Sequence, residues 1–82
     1  MLHITEVRPT GAYRLWVAFS DGLRGEVDLA EELDGPIFEP LRDPAVFAQV
    51  AVDPEIHTIA WPNGADFAPE FLRDLVRPHA VA

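Results

Sequence analysis

Two runs of alternating residues separated by a tripeptide constrain this chain more than any other feature. Tyr13 to Phe19 alternates Tyr13, Leu15, Val17 and Phe19 with Arg14, Trp16 and Ala18; Leu23 to Leu29 alternates Leu23, Val27 and Leu29 with Arg24, Glu26 and Asp28. A period of two marks half-buried strands. The loop length then decides the fold of the pair. If Asp21-Gly22 alone made the turn, Phe19 would face Arg24 and Val17 would face Glu26, and both faces would mix apolar with charged residues. A Ser20-Asp21-Gly22 loop instead pairs Phe19 with Leu23, Val17 with Gly25, Leu15 with Val27 and Tyr13 with Leu29. The opposite face then pairs Arg14 with Asp28, Trp16 with Glu26 and Ala18 with Arg24. A one-residue slip moves a whole strand to the wrong face, so the tripeptide loop is favoured. It also places Gly22 third, where a type I turn followed by a left-handed residue wants glycine. Gly25, inside the second run, marks a bulge or a close backbone approach.

The rest of the chain fits around this hairpin. Ile4 to Arg8 reads as a first strand, broken by Pro9-Thr10-Gly11-Ala12. Ala30 to Leu33 reads as a helical turn ended by Asp34-Gly35-Pro36, and Ile37 to Leu41 as an apolar connection lying on the core. Asp43-Pro44 predicts a helix of about two turns, with aspartate as cap and proline at the first helical position. Val50 to Asp53 and His57 to Trp61 read as two further strands, the second with Ile59 and Trp61 on one face and Thr58 and Ala60 on the other. Asn63-Gly64 is a turn, Asp66 a cap, and Phe67, Phe71, Leu72 and Leu75 one apolar stripe ended by Arg77-Pro78. The prediction is an α+β fold: a small antiparallel β-meander with two short helices packed on one face. It forms a single domain over residues 1–82, with a core at about 4–76 and a frayed tail at 77–82.

A chain of this size buries only about 60–65% of the surface its unfolded form exposes. Zero cysteines mean that neither a disulfide nor a thiolate–metal site supports that core, which fits a reducing compartment. The start of the sequence has no basic segment followed by an apolar run, and no stretch reaches the ~20 apolar residues of a membrane span. The reading is cytoplasmic, with no membrane partner. The net charge of −8 comes from fourteen acids against six arginines, with no lysine. Such a surface repels phosphate, which argues against direct nucleic-acid contact and favours basic partners.

Sites for chemistry are hard to find. Asp21 and Asp28 flank the hairpin, and Asp66 and Glu70 open the last helix, but each has a structural use as turn, ion pair or cap. Glycosidase-type catalysis needs two carboxylates at a set separation, one with a raised pKa. His3, His57 and His79 lie far apart with no metal-ligand spacing. Ser20, the only serine, sits in a hairpin loop rather than a strand-to-helix elbow. No phosphate-binding glycine motif is present. The expectation is therefore no catalytic residues, no metal and no cofactor. Trp61-Pro62-Asn63-Gly64 and Trp16 stand out as aromatic positions with polar company, and exposed tryptophan is enriched at binding hot spots. The alternative is that each tryptophan packs beneath a helix or loop.

Taken together, Phe19, Asp21, Gly22, Gly25, Val27, Asp28 and Leu29, then Phe47, then Trp61, Asn63, Gly64, Asp66, Pro69, Glu70 and Leu72 form a pattern. It resembles a family of small bacterial proteins classed as a domain of unknown function. The resemblance runs from Ile4 to Leu72 and implies a small α+β fold without an assigned activity. Members of that family stand alone or precede a helix-turn-helix domain. Those standing alone often sit beside a second small protein, as in toxin–antitoxin pairs.

The function expected is a non-enzymatic protein-interaction module, antitoxin-like in pairing with a neighbouring gene product. Trp61, Asn63, Asp66, Glu70, Trp16 and Asp28 form the candidate contact surface. Two alternatives stay open: a sensor or enzyme gathering Asp66, Glu70, Asp28 and Trp61 around an acidic cleft, and a homodimer joined through a sheet edge.

Overall fold

The computed structural model describes residues 1–76. The tail expected at 77–82 and the Arg77-Pro78 stop lie outside the described residues. Three strands, β1 (Ile4–Gly11), β2 (Arg14–Phe19) and β3 (Arg24–Asp28), form an antiparallel sheet in the order β1-β2-β3. A second antiparallel pair joins β4 (Ala51–Asp53) to β5 (Thr58–Ala60). Two short helices, α1 (Pro44–Phe47) and α2 (Pro69–Leu75), and two 3₁₀ turns at Ala30–Glu32 and Glu39–Arg42 complete an α+β fold.

The β2–β3 register is the one the tripeptide loop requires: Arg14 opposite Asp28, Leu15 opposite Val27, Trp16 opposite Glu26, Val17 opposite Gly25 and Ala18 opposite Arg24. The Phe19 N–H donates to the Leu23 carbonyl at 2.9 Å, and Gly22 has a φ of +94°. Leu15, Val17, Val27 and Leu29 are fully buried on the inner face. No bulge interrupts the ladder at Gly25. On the outer face, Arg14 Nε lies 3.6 Å from Asp28 Oδ2.

Beneath the inner face, Leu33, Leu41, Phe47, Ile59, Trp61 and Leu72 close the core. Asp43 caps α1 through Oδ1, which accepts from the Ala45 N–H at 2.9 Å, with Pro44 at the first helical position. α2 begins with Pro69, whose missing N–H has no intrahelical partner there. The two sheets are joined where the Ile4 N–H donates to the His57 carbonyl at 2.9 Å. The His3 and His57 rings stack over this junction at 4.2 Å.

Several expectations are corrected. β1 does not break at Pro9 but continues to Gly11, because an edge strand tolerates a residue without an N–H. The chain reverses at Ala12-Tyr13 instead, with Tyr13 leaving the strand at a φ of +61°. Its hydroxyl donates to the Arg42 carbonyl, and its ring meets Phe47 edge-on at 5.7 Å. The helix at Pro44 is one turn, not two, and the connection before it is itself a 3₁₀ turn. Asp66 does not cap α2. Its backbone bridges to Ala60, and the capping position falls to Ala68, which has no side-chain acceptor. Phe67 therefore lies ahead of the helix, stacked on Phe71 at 5.4 Å and on Phe38 at 4.8 Å.

Candidate interaction surface

The sheet sorts its side chains by alternation, and the outer face is where the informative ones collect. The bulge after Ile4 in β1 puts Glu6 opposite Ala18 and Arg8 opposite Trp16. Glu6 and Arg8 thus join Arg14, Trp16, Ala18, Arg24, Glu26 and Asp28 on one surface. The arginines, Glu6 and Asp28 are exposed, and Trp16 and Glu26 are half-buried. Arg8 lies over the Trp16 ring at 4.7 Å from its centroid and pairs with Glu6 Oε2 at 2.6 Å. The result is an indole shielded by a guanidinium, with three arginines balanced by three carboxylates around it. The excess negative charge of the domain lies elsewhere.

Of the six residues singled out by sequence, Trp16 and Asp28 occupy this face. Asp28 is already engaged: Oδ2 faces Arg14, and Oδ1 accepts from the Ala30 N–H at 2.9 Å. A groove of about 540 Å³ opens beside it, lined in part by Arg14, Glu26, Val27, Glu31 and Leu75. Asp66, Glu70 and Trp61 do not line that groove.

The other four residues belong to the stretch from β5 to α2. Trp61 is only 4% exposed, so it cannot serve as a surface contact; the packed alternative is the arrangement found. Its indole N–H donates to the Phe47 carbonyl at 2.8 Å, and its ring tilts against Phe47 at 5.7 Å. Asn63 is exposed but acts as a clamp. Its Oδ1 accepts from the Ala65 N–H at 3.0 Å, and its Nδ2 donates to the Ile37 carbonyl at 2.9 Å. Asp66 and Glu70 are exposed, Glu70 in the first turn of α2. Among the described residues, no three His, Asp or Glu side chains come together in a way that could hold a metal ion. No helix there is long and apolar enough to cross a membrane.

Sequence reasoning missed Arg8 and Glu6. The signal was the alternation of β1, hidden by the bulge that shifts its phase after Ile4.

The architecture has a solved counterpart. The structure of "Putative DNA Binding Protein NE0471" from Nitrosomonas europaea ATCC 19718 superimposes with a TM-score of 0.81 at 26% identity, over 93% of this chain. The present chain spans 49% of that one, about half its length. No curated protein matches the chain. Residues 4–78 match the family described as "Protein of unknown function (DUF2442)", and the chain belongs to that family.

Proposed function

We propose that this domain acts by binding another protein, without chemistry of its own, through the outer face of the β1-β2-β3 sheet. The observation that carries the reading is the Arg8–Trp16 stack on the outer face of the sheet, where Arg8, Arg14, Arg24, Glu6 and Asp28 are exposed around it. Tryptophan and arginine are the residues most enriched at binding hot spots, and a half-buried indole already held in one orientation loses little entropy on binding. The excess of eight negative charges on the whole chain favours encounter with a basic partner. The family resemblance to proteins paired with a small neighbour makes an antitoxin-like role the finer form of this reading, in the cytoplasm.

Supporting the non-enzymatic part, the acids that a cleft would need are spread over different elements. Asp28 is tied to Arg14, and Trp61 is committed to Phe47. DNA binding, suggested by the name of the longer Nitrosomonas protein, is not proposed for this domain's own surface, because its net charge opposes the phosphate backbone.

The test is capture of the neighbouring gene product by the wild-type chain and by Trp16→Ala. The expected result is binding weakened at least about tenfold by the substitution, the size of a modest hot spot, with the circular dichroism spectrum unchanged. Equal capture by both chains would remove the outer face from the account.

A further inference from the structure

The outer face of the sheet sets Arg8, Arg14 and Arg24 against Glu6, Glu26 and Asp28, so the surplus acid of the domain is carried by other surfaces. Part of it borders a column of aromatic rings. Phe67 is buried and stacks on Phe38 at 4.8 Å and on Phe71 at 5.4 Å, its plane within 19° and 11° of theirs. Trp61 meets Phe67 edge-on at 5.9 Å and ties the column to the core. Asn63 Nδ2 donates to the Ile37 carbonyl at 2.9 Å, which fixes the segment that carries Phe38.

The column reaches solvent. Phe71 is 38% exposed, and Ile37, next to Phe38 in the chain, is 45% exposed. Packing in the core accounts for Phe67 but not for these two. Each ring also has an exposed carboxylate beside it in the chain: Glu39 after Phe38, Asp66 before Phe67 and Glu70 before Phe71. Among the described residues, none of these three carboxylates enters an ion pair; the arginines are paired with Glu6, Asp28, Asp34 and Asp21 instead.

We infer that this aromatic column is the docking site for a basic amphipathic helix of a partner protein. The apolar face of that helix lies on Ile37, Phe38 and Phe71, and its lysines or arginines meet Glu39, Asp66 and Glu70. Charge, spacing and chemistry each favour this occupant. Unpaired carboxylates attract a cationic segment and oppose a second copy of this acidic chain. The ring spacings of 4.8 and 5.4 Å match the 5.4 Å pitch of an α-helix, so side chains at i and i+4 fall in step with the rings. An aromatic face beside a carboxylate is also the setting in which this chain holds its own Arg8, over Trp16 and against Glu6. The inference rests on reading the domain as a binding module, but it uses a different surface from Trp16.

The experiment is a heteronuclear NMR titration of the full chain at pH 7 with synthetic peptides of one length: a Leu/Lys amphipathic helix, its Ser/Lys counterpart and its Leu/Glu counterpart. The Leu/Lys peptide is expected to shift the amides of residues 37–39 and 66–71, and the other two to bind at least about tenfold more weakly. Phe71→Ala should weaken the Leu/Lys peptide about tenfold. Ile37→Ser and Glu70→Lys, at exposed positions outside the core, should each weaken it about three- to tenfold. Trp16→Ala should leave it unchanged, so this surface and the outer face of the sheet fail separately. Equal binding of the Ser/Lys peptide, shifts centred on other residues, or unchanged affinity in both Phe71→Ala and Ile37→Ser would overturn the proposal. So would self-association that Phe71→Ala abolishes, which gives the column to a second copy, or contacts of Phe71 with residues 77–82 in the free chain, which give it to the chain itself.

Discussion

The carboxylate of Asp21 ties the hairpin loop to α2 through Arg73. Oδ1 accepts from the Leu23 N–H at 3.1 Å, closing the turn, while Oδ2 accepts from Arg73 Nε at 2.9 Å, fifty-two positions along the chain. The first bond and then the second hold the Asp21 carboxyl below its ordinary value of 3.8. A carboxylate with a lowered folded-state pKa contributes stability that is complete above the unfolded value and is lost as pH falls through the folded one. Urea titrations should therefore show the wild type losing stability more steeply than Asp21→Asn as pH drops below about 4, with the two curves converging in acid. Parallel curves through that window would contradict the role given to Asp21.

Gly22→Ala isolates the cost of the loop conformation. A Cβ at this position meets nothing within 4 Å, but the φ of +94° is unfavourable for alanine. The destabilisation should be about 1–2 kcal/mol by urea unfolding. A neutral result would mean that the turn can relax into another form.

Thr58→Val tests a buried hydroxyl of the core. The buried hydroxyl donates to the Phe67 carbonyl at 2.6 Å, and valine keeps the shape while leaving that carbonyl without its partner. The expected loss is about 1–3 kcal/mol, measured by the same titration. A more stable variant would show that the bond only offsets its own desolvation.

How much of this was legible in the sequence depended on whether a residue's position follows from near neighbours. The register from Arg14 to Asp28 was readable because a slip would have exposed Leu15, Val17 and Val27. The cap at Asp43 was readable because Asp-Pro acts within one turn. Pro9 misled, since whether proline breaks a strand depends on whether that strand is an edge, which is a property of the assembled sheet. Asp66 misled because two residues separate it from Pro69, and a bridge to Ala60 competes for its backbone. Trp61 was ambiguous because the indole suits a hot spot and a core equally, and its acceptor, the Phe47 carbonyl, belongs to another element. The Asp21–Arg73 and Arg8–Trp16 contacts each join strands or helices whose placement no local pattern encodes.

The division of the two tryptophans between core and outer face is the point on which the functional reading turns. It can be measured directly by iodide quenching of single-tryptophan chains. Trp61→Phe leaves Trp16 as the reporter, and Trp16→Phe leaves Trp61. Trp16 should emit at longer wavelength and be quenched, increasingly so when Arg8 is replaced by alanine. Trp61 should emit at shorter wavelength and resist iodide until the protein unfolds. Equal quenching of the two, or a protected Trp16 beside an accessible Trp61, would contradict the account.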